Sequence, residues 1–174
     1  SLSPREQFYY ARELSYHGRD QEAIALLEPF VDSGQGWVEN SIEACRLLAG
    51  CYDRENRPDA ALGALLKSLR FDVPRAEVCC DIGRHFFDRC AYRQAIYWYE
   101  QALACKRDDT SGAFVLPDCY GYLPYLQLCI CYDRMGEHQK ARLCNDQAEQ
   151  CRPGTEACRF NREYFSALLD AEGS

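Results

Sequence analysis

Apolar and polar residues follow a helical pattern along most of the chain, and one layout occurs four times. In each copy a small residue in the middle of a predicted helix is followed three residues later by Leu or an aromatic residue. A turn comes next, and an Ala follows it. These alanines are Ala23, Ala61, Ala95 and Ala141, at intervals of 38, 34 and 46 residues. We interpret the chain as a helical repeat of 34 residues with insertions of 4 and 12 residues.

The third copy shows the pattern most clearly. It predicts one helix over Arg75–Phe86 and a second over residues 92–103, with Gly83 as the small residue of the first helix. Ala95 and Ala102, with Tyr99 between them, are the corresponding residues of the second. This arrangement resembles the tetratricopeptide repeat (TPR), and the other three copies match it in register. Their small residues are Ala11, Ala49 and Cys129, which let the two helices of each hairpin approach closely.

The resemblance implies an all-α fold of the TPR-type α-solenoid class. We expect four helix hairpins stacked in a right-handed superhelix with one concave groove, followed by a C-terminal capping helix. The whole chain, 1–174, is then a single TPR domain. Its repeats are expected at about 4–37, 42–75, 76–109 and 122–155, its capping helix at about 156–170, and its insertions at 38–41 and 110–121.

Local signals agree with these boundaries. Ser3 and Glu6 form a capping-box pattern at the start of the first helix. Gly18 and Gly136 mark hairpin turns, and Thr155 is suited to cap the last helix. Proline inside a helix removes a hydrogen bond, so we expect the proline at position 29 to shorten or kink its helix.

The charge of the chain restricts its partners. Lys and Arg number 20 and Asp and Glu number 27, which gives a net charge of −7. Nucleic-acid binding depends on basic surface, so we expect no nucleic-acid partner. The richest apolar stretch, 119–132, is too short to cross a bilayer, and no signal segment opens the sequence. We therefore expect a soluble, cytoplasmic protein without a membrane partner.

Twelve cysteines raise the question of thiol chemistry, but no two of them have Cys-x-x-Cys spacing. We expect buried, reduced thiols, and a redox or metal-binding protein is the alternative. The three histidines are far apart in the sequence, and Asp-x-Asp does not occur. We assign no catalytic, cofactor-binding or metal-binding residue and no cofactor.

The predicted groove is the best candidate for binding, because arginines alternate there with aromatic residues. This combination suits a protein or peptide partner with acidic side chains. The alternative is a solvated face on which these charges pair with one another. The expected groove residues are Arg5, Phe8, Arg12, Arg46, Asp53, Arg84, Phe87, Asp88, Gln127, Asp133 and Arg134.

Two apolar residues lie in predicted connectors. Trp37 follows a glycine-rich segment, and Phe114 lies in the long insertion. They either pack back onto neighbouring repeats or form contact loops for another domain or subunit.

The chain also resembles the C-terminal TPR tail of certain bacterial family-two glycosyltransferases. The residues that carry this resemblance include Gly34–Glu39, Pro74–Glu77, Ala95–Tyr99, Ser111–Phe114 and Asn161–Phe165. The resemblance implies a non-catalytic part of such an enzyme, which assists acceptor binding or dimerisation through its own catalytic domain or a second copy. The alternative is a free-standing adaptor that binds a peptide in its groove.

Overall fold

The computed structural model describes residues 1–173, and these residues form α-helices and short 3₁₀ turns without any strand. The turns are Ser68–Arg70 and Pro117–Tyr120. The helices are α1 (Pro4–Tyr16), α2 (Asp20–Ser33), α3 (Val38–Arg54), α4 (Pro58–Lys67), α5 (Ala76–Phe87), α6 (Tyr92–Ala104), α7 (Tyr122–Arg134), α8 (His138–Cys151) and α9 (Glu156–Glu172).

The helices belong to two compact units. The first unit comprises Ser1–Pro74 with Asp108–Phe114, and the second comprises Arg75–Arg107 with the chain from Val115 onward. In the first, α1 pairs with α2 and α3 with α4, and α3 also packs against α1 and α2. In the second, α5 pairs with α6 and α7 with α8, and α9 packs against α8. These are the four predicted hairpins and the predicted last helix.

The four hairpin turns share one backbone conformation. In each, one residue has a positive φ: Gly18 (71°), Asn56 (58°), Cys90 (57°) and Gly136 (77°). Each lies five residues before the alanine that defines its repeat. The N–H of the following residue donates to a carbonyl five residues back, as in a Schellman motif. The four repeats therefore share the same turn hydrogen bonds, although only two of the four positive-φ residues are glycines.

Helix ends agree with their sequence signals. Ser3 and Glu6 form both bonds of a capping box, and Thr155 accepts a hydrogen bond from the N–H of Cys158. Residues 38–41, expected as an insertion, are helical and form the first turn of α3. The helix that contains Pro29 continues to Ser33, because buried residues beyond the proline keep it packed.

The long insertion is anchored at both ends. Its first part, with Phe114, belongs to the first unit, where the Phe114 ring lies 5.9 Å from that of Phe8. Its second part is held by Glu77 of α5, whose side chain is 3% exposed. The carboxylate of Glu77 accepts hydrogen bonds from the N–H of Leu116 (3.1 Å) and the hydroxyl of Tyr120 (2.9 Å). A buried carboxylate thus fixes the path of the chain into α7.

Candidate functional site

One face of α1 carries alternating arginines and tyrosines. Arg5, Tyr9, Arg12 and Tyr16 follow one another at helical spacing, and we call them the α1 stripe. The guanidinium of Arg12 lies 4.7 Å from the ring centre of Tyr9 and 5.7 Å from that of Tyr16. The guanidinium of Arg5 lies 5.7 Å from the Tyr9 ring. Stacking on the rings orders both cations along the helix.

Neither arginine of the α1 stripe forms an ion pair with a carboxylate of residues 1–173, and the buried Nε of Arg12 makes no hydrogen bond. Three other arginines of the first unit are paired, whereas Arg57 and Arg70 lie over aromatic rings. Arg19 pairs with Glu22, Arg46 with Glu43 at 3.2 Å, and Arg54 with Asp20 at 2.8 Å. In a chain of net charge −7, the α1 stripe therefore carries two arginines that form no ion pair with an acidic side chain of the described chain.

A cavity of about 300 Å³ lies beside the α1 stripe, and we call it the Asn40 cavity. Arg5 and Tyr9 line it from α1, and Trp37 and Asn40 line it from the start of α3. Trp37 is 53% exposed, whereas Asn40 is only 5% exposed. The buried Oδ1 of Asn40 makes no hydrogen bond. The residues that line the cavity thus supply a cation, two aromatic rings and an amide side chain whose oxygen is buried and unsatisfied.

The two predicted contact residues, Trp37 and Phe114, have different surroundings. Phe114 is half-buried and packs on Phe8, as expected for a residue that folds back onto a repeat. Trp37 keeps a solvent-exposed face on the Asn40 cavity, and the edge of its indole lies beside Gly112 of the insertion. A Cβ at position 112 would be 3.1 Å from the indole Cη2, so only a glycine fits there without displacing the ring.

The expectation that Phe8 faces a groove is wrong. Its side chain is 0% exposed and packs between Phe30 and Phe114 in the core of the first unit. The physical reason is the rotation of α1: Phe8 faces the core, and the neighbouring Tyr9, which is half-buried, lines the Asn40 cavity. The other predicted groove residues of the first unit have polar surroundings: Arg46 is half-buried and paired, and Asp53 is exposed.

The groove residues expected in the second unit differ in their exposure and contacts. Arg84, Asp88 and Arg134 are exposed. Phe87 is half-buried against Tyr92, and Gln127 is half-buried. Asp133 is bound within the unit, where His138 Nδ1 lies 2.9 Å and the Tyr164 hydroxyl 3.2 Å from its carboxylate.

Sequence reasoning missed Tyr9, Tyr16 and Asn40. The spacing of Arg5, Tyr9, Arg12 and Tyr16 could have revealed the tyrosines, because these positions share one helical face. Asn40 gave no such signal, since residues 38–41 were assigned to an insertion.

The cysteines show no sign of an activated thiol. Eight of the twelve are buried, and no disulfide joins any of them. Burial raises the pKa of Cys45 to about 12 and that of Cys144 to about 11, so both remain protonated near neutral pH. No three metal-ligating side chains meet among residues 1–173, and no helix there is both long and apolar enough to cross a bilayer.

No protein-family model and no curated protein matches the chain. Solved structures of TPR-like helical-repeat proteins are similar to it. A crystal structure of MamA gives a TM-score of 0.72 at 21% identity, covering 92% of this chain and 84% of MamA. A second MamA structure gives 0.70 at 20% identity, covering 96% and 88%. BtubC (BKLC) from P. vanneervenii gives 0.70 at 20% identity, covering 87% and 65%. The chain therefore has the all-α, TPR-type solenoid fold that its repeat predicts.

Proposed function

We propose that this chain is a protein-interaction module that binds an acidic segment of a partner polypeptide on the α1 stripe. The observation that carries the proposal is the pair of arginines, Arg5 and Arg12, which are ordered by tyrosines and have no carboxylate partner within residues 1–173. A solvated face with internal Arg–Asp pairs is the alternative, and the lack of such pairs on α1 counts against it.

The chemistry of the α1 stripe suits carboxylates. A guanidinium donates two parallel hydrogen bonds to a carboxylate, and this charge-assisted pairing is stronger than neutral hydrogen bonding. Tyr9 and Tyr16 offer rigid apolar area beside each cation at a small cost in side-chain entropy. An extended segment with acidic residues at intervals matches this alternation.

The test is the binding of a labelled, acidic model peptide of alternating Glu and Ala, followed by fluorescence anisotropy. The control peptide has Gln in place of Glu. Arg12→Gln should weaken binding of the acidic peptide about tenfold, the effect of losing one hydrogen-bonded charge pair. Arg142→Gln, the same change at an exposed position of α8, should leave it unchanged. Added salt should weaken binding, because it screens exposed charges.

Two results would contradict the proposal. One is equal affinity for the Glu and Gln peptides. The other is equal loss of affinity in the Arg12 and Arg142 variants, which would indicate nonspecific attraction rather than a site on α1.

We further propose that the module is an accessory part of a bacterial, cytoplasmic glycosyltransferase, where it assists acceptor binding or dimerisation. The resemblance of Gly34–Glu39 and Ser111–Phe114 to the TPR tails of such enzymes supports this placement. A free-standing adaptor is the alternative. An antibody raised against this chain distinguishes them: a band in source cells well above 20.0 kDa favours the larger enzyme, and a band near that mass favours the adaptor.

A further inference from the structure

The first turn of α3 adds a feature that the 34-residue repeat does not provide. Residues 38–41 extend α3 at its N-terminal end, and they bring Asn40 against α1. The Oδ1 of Asn40 is buried without a hydrogen bond, although buried acceptors in folded proteins are nearly always satisfied. An apolar side chain at this position would avoid that cost to stability. Asn40 itself lines the cavity, so rotation of its side-chain amide would present this acceptor to a ligand there.

We propose that the Asn40 cavity is a subsite for one peptide group of the bound acidic segment. The Asn40 amide rotates to turn Oδ1 into the cavity, where a backbone N–H of that segment donates to it, while a neighbouring carboxylate pairs with the guanidinium of Arg5. Tyr9 and Trp37 flank the segment. This subsite rests on the proposed function, and it specifies the ligand as extended polypeptide rather than any anion.

Size and chemistry both favour this occupant. A volume of about 300 Å³ is at the small end of ligand sites, so it holds a short piece of chain and excludes a helix or a large cofactor. The backbone N–H is the donor that every residue except proline carries, and a buried acceptor therefore recognises main chain irrespective of sequence. Arg5 then supplies the preference for an acidic neighbour, and it disfavours a cationic ligand.

The residue beside Asn40 provides a matched control. Ser41 is also fully buried in the first turn of α3, and its Oγ likewise makes no hydrogen bond. Ser41 does not line the cavity. Removing either polar group should leave the fold as stable as before or more stable, but only the Asn40 change should affect the ligand.

The experiment compares Asn40→Leu with Ser41→Ala in binding the alternating Glu and Ala peptide. Asn40→Leu should weaken binding about 3- to 10-fold, which corresponds to one neutral hydrogen bond. Ser41→Ala should leave the affinity within about twofold of the unmodified protein, the scatter expected for a site without contact to the ligand. Thermal unfolding of each variant shows that a loss of binding is not a loss of fold.

A second probe tests the same bond on the unmodified protein. It is the matching depsipeptide, in which ester oxygens replace the amide N–H groups of the peptide. The unmodified protein should bind it about 3- to 10-fold more weakly than the peptide, because the donor to Asn40 is gone. The Asn40→Leu variant should bind both probes equally.

The outcomes separate this inference from the proposed function. Binding that needs Arg12 but is unaffected by Asn40→Leu would overturn the subsite and leave the acidic-segment function standing. Equal affinity of the unmodified protein for peptide and depsipeptide would also overturn the subsite. Failure of the acidic peptide to bind the unmodified protein would overturn both.

Discussion

Gly83 of α5 lies directly against the ring of Tyr99 in α6. A Cβ at position 83 would be 2.9 Å from Cζ of that ring, and Tyr99 is only 1% exposed, so the ring has little room to move. The close approach explains why this hairpin has a small residue at position 83. A larger residue there would overlap the aromatic ring that fills the space between the two helices.

Gly83→Ala should lower the free energy of unfolding by about 1–3 kcal/mol, because overpacking outweighs the better helix propensity of alanine. The control is Gly63→Ala in α4, where nothing lies within 4 Å of the added Cβ. That change should raise the free energy of unfolding by about 0.5–1 kcal/mol. Denaturant unfolding measures both. A stabilising Gly83→Ala would show that Tyr99 adapts and that the close approach is not required.

Cys90 occupies the left-handed position of the third hairpin turn, with φ 57°. This conformation is unfavourable for a side chain with a Cβ and favourable for glycine. Cys90→Gly should therefore raise the free energy of unfolding by about 0.5–1 kcal/mol. Gly136→Ala, at the equivalent position of the fourth turn, should lower it by a similar amount. If Cys90→Gly destabilised the protein, the thiol would have a stabilising role that outweighs the backbone strain.

The ion pair between Asp20 and Arg54 links α2 to α3. Arg54 donates from Nε and Nη2 to the buried Asp20 carboxylate, and these hydrogen bonds hold the pKa of Asp20 below its usual range. A lowered native pKa stabilises the fold above the unfolded pKa of about 4, and this contribution is lost as the pH falls through the native pKa.

Asp20→Asn should therefore lower the free energy of unfolding by about 1–3 kcal/mol near neutral pH. It should also reduce the pH dependence of unfolding below about pH 4, where the native carboxyl would otherwise take up its proton. Glu22→Gln is the control, since its pair with Arg19 is more than half exposed and should contribute much less to stability than the Asp20–Arg54 pair. Unfolding of Asp20→Asn with the same acid dependence as the unmodified protein would contradict this role.

Glu77 holds the second part of the insertion, from Val115 to Tyr120. Glu77→Ala should speed hydrogen exchange at the Leu116 amide, because that N–H loses its acceptor. Tyr120→Phe removes only the hydroxyl bond to Glu77, so it should leave the Leu116 amide protected. An unchanged Leu116 exchange rate in Glu77→Ala would show that other contacts fix this segment.

The helical hairpins could be predicted from the sequence because their signals are local. The small residue at Gly83 and the turn glycines Gly18 and Gly136 each specify a feature within a few residues of themselves. Even Asn56 and Cys90 could be placed in turns, because the alanines that follow them at fixed distance defined the repeat.

The candidate site could be predicted only in part, because it depends on distant residues. The exposed face of α1 is set by Phe8, whose burial depends on Phe30 and on Phe114 in the insertion. Helical periodicity alone predicted Arg5 and Arg12 as site residues, but it could not show that Tyr9, rather than Phe8, lies beside them. Asn40 was outside the aligned repeat. No sequence pattern therefore indicated that α3 begins at Val38, which places Asn40 beside α1.

The most direct test of the binding account is to locate an acidic peptide on the protein by NMR. The unmodified protein is titrated with the alternating Glu and Ala peptide while backbone amide signals and the indole Nε1–H of Trp37 are followed. The account predicts that the signals of Trp37, α1 and the first turn of α3 shift together at low salt. Shifts confined to the second unit, or no shift on α1, would contradict it.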